Sequence, residues 1–335
     1  DLVYRYTIQS GETDSDGISI GANALALNSG IIRDAAGNNG TLTHSALSDN
    51  SGYKVDTTAP TVDSFTLSDT ELKAGDTATV QLVFSEAVAL FSSSADITVP
   101  NLDNGAGSGT LSTMSSSDDI TWAGTFTPAT NTEDATNTLS LATSYTDLAG
   151  NNGPAATTAN YEVETLAPTV SSVAITGASG VQNSQLNAGD VVSVTATFSE
   201  AVNVSSGTPT ITLVVGSTSR TATYASGSGS TQLVFRYTIQ AGENDSDGIS
   251  IGANALALNS STIRDTAGNN GTLTHSAVSD NSSYKVDTTA PTLSQVTAVT
   301  TPTKDSTPGY AFSSNEAGTI SVSYTHLTLP TILLV

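Results

Sequence analysis

The chain of 335 residues contains no cysteine, one methionine and one tryptophan. Without cysteine there are no disulfides, no thiolate metal sites and no thiol nucleophiles. Cations are also scarce: nine Lys and Arg stand against 31 Asp and Glu, for a formal net charge of -22. The nine (Arg5, Arg33, Lys54, Lys73, Arg220, Arg236, Arg264, Lys285 and Lys304) are scattered singly. Gripping a phosphate backbone needs clustered cations, so the composition argues against nucleic acid as a partner, and an anionic membrane surface would repel the chain. No apolar run reaches the roughly 18 residues needed to span a bilayer, and no charged-then-apolar leader opens the sequence. What is present is enough to fold: 37% hydrophobic residues with only 12% charged can bury real cores. The length asks for several domains.

An internal repeat organises those domains. Leu2 to Thr61 matches Leu233 to Thr292 at a constant offset, with eight differences in sixty positions. A weaker repeat says more, because only some motifs survive in it. Ala-Pro-Thr recurs at Ala59, Ala167 and Ala290. Leu72-Lys-Ala-Gly-Asp76 returns as Leu186-Asn-Ala-Gly-Asp190, and Phe84-Ser-Glu-Ala-Val88 as Phe198-Ser-Glu-Ala-Val202. Asp-x-Ala-Gly-Asn-Asn-Gly follows at Asp34, Asp147 and Asp265, then Tyr-x-Val-acid-Thr at Tyr53, Tyr161 and Tyr284. The order is fixed, and it divides the chain into a back half-module (1–57), two complete modules (58–165 and 166–288) and a front part-module (289–321). The chain opens on Asp1 in what reads as mid-strand, as expected of a fragment. The tail 322–335 begins with Val322-Ser-Tyr-Thr-His-Leu-Thr-Leu-Pro-Thr331, which resembles the translation of a sequencing adapter. It is expected to be non-native, the other reading being an apolar β-strand.

Within modules the apolar period is two. Ala78, Val80, Leu82 and Phe84 fall on one face of a strand, and Val192, Val194, Ala196 and Phe198 repeat the pattern, as do Leu233, Phe235, Tyr237 and Ile239. Clusters of Gly, Asn, Asp and Ser interrupt every eight to twelve residues or so, and the best helix candidate, Ala22 to Leu27, is short and uncapped. Modules of about 110 to 120 residues suit a β-sandwich. The fold class predicted is therefore all-β, with sandwiches in tandem.

The Ala-Pro-Thr openings, the Phe-Ser-Glu-Ala-Val strand ends, the Asp-x-Ala-Gly-Asn turns and the Val-Asp-Thr-Thr-Ala-Pro junctions together resemble the bacterial immunoglobulin-like repeats of large type I-secreted (RTX-type) surface adhesins. The likeness covers residues 1 to 321. It implies immunoglobulin-like modules in an elongated extracellular array, stiffened by calcium between domains. The calcium-binding β-roll nonapeptide found elsewhere in such proteins is absent.

Sandwich topology predicts where the recurring acids meet. The strand ending at Glu86 or Glu200 returns to the amino-terminal pole of its module, where the Asp-x-Ala-Gly-Asn turn also lies and the preceding module's linker acid arrives. Asp56, Glu86 and Asp147 should converge with Asn151 nearby, and Glu164, Glu200 and Asp265 with Asn269. Asp287 and Glu316 form a third, incomplete set, and Asp34 and Asn38 remain from a fourth. Two carboxylates about 5 Å apart repel by roughly 3 kcal/mol at an effective dielectric near 20, so such clusters call for a cation. Oxygen ligands with six to eight places to fill suit Ca²⁺ better than Mg²⁺ or Zn²⁺. The other reading is a plain turn, with Asp capping backbone amides and Gly and Asn in left-handed conformations. Linker acids favour metal, since no turn requires Asp56 or Glu164.

A second acidic motif, Glu-x-Asp-Ser-Asp-Gly-Ile, occurs at Glu12, Asp14, Asp16 and at Glu243, Asp245, Asp247. Its spacing resembles an EF-hand opening, but Asn254 stands where the bidentate Glu belongs, so an Asp-Gly turn is expected over a further calcium site. His44 and His275 read as strand residues rather than general bases; His326 lies in the suspect tail. Trp122 alternates with Ile120 and reads as core rather than a carbohydrate platform. With no catalytic motif evident, the chain is expected to be a non-enzymatic extender that contacts neighbouring modules and projects a distal binding domain at a bacterial surface, for adhesion or biofilm formation. Two alternatives stay open: an accessory array of an extracellular polysaccharide-degrading enzyme, and a module that itself binds the ligand.

Overall fold

A computed structural model describes residues 1–101, 107–298, 302–307, 309 and 311–318. The tail 322–335 and its His326 lie outside the described residues. Among those described, the chain is all-β, and the one helix, Ser93–Asp96, is a single turn. Ala22 to Leu27 forms no helix. Contacts divide the chain into two compact units. The first comprises Asp1–Thr169, Glu200–Val204 and Ile263–Thr272; the second comprises Val170–Ser199, Ser205–Thr262 and Leu273–Val335.

The first unit contains an immunoglobulin-like sandwich. One sheet orders Val62–Leu67, Ala78–Phe84, Thr121–Pro128 and Gly109–Leu111, all antiparallel, with Phe65 opposite Leu82 and Leu82 opposite Trp122. A second orders Glu133–Asn137, Tyr161–Glu164 and Glu71–Lys73, where Tyr161–Glu164 runs antiparallel to its first neighbour and parallel to Glu71–Lys73. Period-two alternation turns Ala78, Val80, Leu82 and Phe84 inward, each fully or almost fully buried, against Leu72, Tyr161 and Val163 of the second sheet. Both sheets thus feed one core, in which each fully buried large apolar side chain contributes roughly 1.5–3 kcal/mol. Phe84, Phe91 and Tyr145 pack at tilted and edge-to-face angles, and Trp122 closes the cluster edge-on to Phe91 at 4.8 Å. The pairing of Thr146–Asp147 with Val88–Ala89, Asp147 opposite Val88, lays the Asp147 turn beside the end of the strand that carries Glu86.

Most of the second unit belongs to a larger sheet ordered Val170–Ser179, Val191–Ser205, Ser230–Thr238, Thr218–Ser226, Thr210–Val215 and Ser250–Ala257, of which Glu200–Val204 falls in the first unit. Val192, Val194, Ala196, Phe198, Leu233, Phe235 and Ile239 are buried as their alternation predicts. A smaller sheet sets Gln185–Leu186 parallel to Lys285–Asp287, which pairs with Asn244–Asp245. Leu293–Thr297 and Ala311–Ser314 form a separate hairpin-like pair.

Candidate metal centres

Each Asp-x-Ala-Gly-Asn turn is built around its aspartate. Asp147 Oδ1 accepts backbone N–H bonds from Ala149, Gly150 and Asn151 at 2.7–2.9 Å, while Asn151 Nδ2 donates to Oδ2 at 2.7 Å. Gly150 takes φ +96°, a conformation that a side chain would strain. The motif's last glycine has a different cause: a Cβ on Gly153 would sit 2.1 Å from the ring of buried Tyr145. Asp265 repeats the scheme, its Oδ1 accepting from Gly268 and Asn269 and its Oδ2 from Asn269 Nδ2. The hydrogen-bonded turn expected as one reading is therefore present, and its aspartates, Asp147 and Asp265, are both buried.

The turn does not account for the neighbours. One carboxylate oxygen each from Asp56, Glu86 and Asp147 lie within 4.8 Å of one another, and so do oxygens from Glu164, Glu200 and Asp265. In both, the turn aspartate is buried and the Phe-Ser-Glu glutamate half-buried; the linker acid is exposed at Asp56 and half-buried at Glu164. Burial, then the charges on Asp56 and Asp147, push the Glu86 carboxyl above its ordinary range. Glu200 is raised by burial and by Glu164, Asp265 and Glu133. Glu164 is raised by burial and by Asp265, Glu133 and Glu162, against the N–H bond it accepts from Leu166. Asp147 goes the other way: burial pushes it up, but the bonds from Asn151, Gly150 and Ala149 outweigh that and hold it low. The first cluster so combines an aspartate held low with a glutamate pushed up in its neighbours' field, and in the second both glutamates are pushed up.

Oxygens this close can share one ion. Ca²⁺ binds oxygen at about 2.3–2.6 Å, so ligands across it stand up to about 5 Å apart, whereas Mg²⁺ at about 2.1 Å demands a tighter octahedron. The asparagines brace the linkers. Asn151 Nδ2 donates to Asp56 O at 3.1 Å and Thr58 O at 3.3 Å, and Asn269 Nδ2 donates to Glu164 O at 2.9 Å. Asn269 Oδ1 also accepts the Ala74 N–H at 2.8 Å, from the Leu-Lys-Ala-Gly-Asp turn. Sequence reading missed Ala74, because a backbone donor leaves no signature beyond the recurrence of its turn. It also missed Glu133, whose register opposite Glu164 adds to the local negative field.

Residues 56–163 match the family model of the bacterial Ig-like domain. The matched bacterial Ig-like segment holds the whole first cluster, from Asp56 to Asp147. Among solved structures, FdeC, a broadly conserved Escherichia coli adhesin, shows 14% identity and a TM-score of 0.30 over 76% of this chain and 75% of that one. No curated protein matches the chain.

Other expected residues are placed differently. Asp34 and Asn38 form the same turn, but both are exposed, and among the described residues Asp34 belongs to no three-acid group. Asp287 accepts the Thr289 N–H and Glu316 accepts from Asn315, and among the described residues no three-acid group contains either. Glu243 and Asp245 are buried and internally engaged: Glu243 pairs with Arg220 and accepts from Tyr237, and Asp245 accepts from Gly248 and Gly216. These bonds are those of an Asp-Gly turn packed on an ion pair. His275 Nε2 accepts the Ala255 N–H at 2.8 Å and Nδ1 lies 2.8 Å from Ser276 O, so the ring bridges neighbouring segments, but the strands expected at His44 and His275 do not form: both residues lie in irregular segments.

Proposed function

We propose that this chain is a non-catalytic extender segment of a large secreted bacterial surface adhesin, and that Ca²⁺ bound at its two carboxylate clusters stiffens successive modules. The observation that carries the reading is the repeated convergence of a linker acid, a strand-end Glu and a turn Asp within 4.8 Å, twice in one chain. The linker acid matters most, since it ties the cation to the segment joining one repeat to the next. Single strands such as Thr121–Pro128, eight residues long, span about 26 Å at roughly 3.3 Å per residue, so repeats of this kind give reach. The proline after each linker keeps the residue before it extended. A net charge of -22 fits solubility and low self-adhesion in the extracellular medium, where calcium at about 10⁻⁴–10⁻³ M suits modules of this type.

The test is thermal melting and small-angle scattering of the full chain with calcium and with chelator. Calcium should raise the melting temperature and narrow the distribution of dimensions, and replacing Glu200 and Asp265 with Ala should remove part of both responses. Identical melting and scattering in the two conditions would refute the reading.

A further inference from the structure

Contacts group Ile263–Thr272 with Asp1–Thr169, far from it in sequence, and not with the residues on either side of it. Asn269 lies where these segments meet and is 4% exposed. Its Nδ2 donates to Asp265 Oδ2 at 2.8 Å and to Glu164 O at 2.9 Å, and its Oδ1 accepts the N–H of Ala74, 195 positions away, at 2.8 Å. This arrangement fixes which way the amide faces: turned over, it would point N–H at N–H and set its oxygen against a carboxylate and a carbonyl. Nearby, the Thr272 N–H donates to Pro168 O at 2.8 Å. A buried amide is costly to leave unpaired, so the contact is directional as well as close. The bonds to Ala74, Glu164 O and Pro168 O use no carboxylate, so none of them depends on the charge of the acid cluster beside them.

The other side of the contact is the turn Leu72–Asp76. Its shape is set locally: the Asp76 N–H donates to Lys73 O at 3.1 Å, Gly75 takes φ +89°, and Asp76 Oδ2 accepts the Lys73 N–H while pairing with Lys73 Nζ at 2.8 Å. A tight turn with a left-handed third residue is type II, and Ala74 holds its second position. Ala74 is exposed, so its N–H would be open to water if Asn269 did not receive it. The Lys73 stem runs beside Gly268, where an added Cβ would lie 3.4 Å from Lys73 Cδ, so the two turns pack closely as well as bond.

We propose that the Leu72–Asp76 turn is a docking surface for the Asp265–Asn269 turn, and that Asn269 is the positioning residue that joins them with or without a cation. The tests are made in chelator, so they do not depend on whether the neighbouring carboxylates bind calcium. Amide hydrogen exchange of the full chain should show the Ala74 N–H protected. Asn269→Ala should speed its exchange about tenfold, as the loss of one ordinary hydrogen bond does, while Val80 and Leu82 in the core strand stay unchanged. Ala74→Pro removes the same bond from the other side, because proline suits the second position of a type II turn and carries no N–H. That variant should speed exchange of the Thr272 N–H by about threefold or more, and adding it to Asn269→Ala should change nothing further. An Ala74 N–H that loses its protection in chelator would overturn the proposal and leave the calcium reading in place. So would unchanged Thr272 exchange in Ala74→Pro, or effects of the two substitutions that multiply. Protection that persists in chelator, in a chain that calcium does not stiffen, would support the proposal and count against the calcium reading alone.

Discussion

Replacing Glu200 with Gln should stabilise the protein without metal and blunt its response to calcium. Glu200 shares a cluster with Glu164 and Asp265, all within 4.8 Å. At that spacing each charged pair repels by about 3 kcal/mol at an effective dielectric near 20. Glu164 and Glu200 are only half-buried, so solvent screening brings each pair to about 0.5 kcal/mol, on the scale of exposed ion pairs. Neutralising Glu200 removes two pairs, a gain of about 1 kcal/mol, or roughly 2–4 °C in melting temperature for a unit of this size. With calcium at ten times its dissociation constant the unaltered chain gains about 1.4 kcal/mol, whereas a tenfold weaker variant gains about 0.4. The variant should therefore melt higher in chelator and lose that lead in calcium. Differential scanning calorimetry in both conditions decides it. A variant that melts lower than the parent in chelator, or keeps its lead undiminished in calcium, would refute the reasoning.

The pH response of the metal-free protein should have an unusual sign. Glu86, Glu164 and Glu200 are raised above their ordinary value of 4.5, so the folded state binds more protons than the unfolded one between that value and their folded ones. Metal-free stability should then rise as pH falls from 7 towards 4.5, measured by urea denaturation, and flat or falling stability there would contradict it. Below 3.8 the trend should turn, because Asp147 and Asp76 are held low by bonds that exist only in the folded chain and that protonation removes. Separately, Arg220→Met leaves Glu243 buried beside only Tyr237 and the Gln240 N–H. That should cost about 2–4 kcal/mol in chemical denaturation of the second unit, and Glu243→Gln in the same chain should recover part of it.

Strand identity was legible wherever the apolar period was clean. Ala78–Phe84 and the run from Val192 to Phe198 lie where alternation puts them, and their inward residues are the buried ones. The meeting of Glu86 with Asp147 followed from connectivity, because a returning strand and a final turn share a pole. Partners that depend on nonlocal register were not legible. The parallel pairing of Tyr161–Glu164 with Glu71–Lys73 carries no local signal, and neither does the bond from Ala74 to Asn269. Arg220 and Glu243 were each visible, but their pairing needs the register of Thr218–Ser226 against Ser230–Thr238. Leu2–Ile8 marks the limit most clearly. It alternates just as Leu233–Ile239 does and still forms no strand, because a strand is stabilised by neighbours and not by its own sequence.

The central claim is that two clusters of carboxylates each hold one calcium ion. Isothermal titration of the metal-free full chain with Ca²⁺ measures this directly. The account predicts two ions per chain at dissociation constants of about 10⁻⁴–10⁻³ M, falling to one when Glu200 and Asp265 are replaced by Ala. Heat that never saturates, or a stoichiometry unchanged by those substitutions, would contradict it.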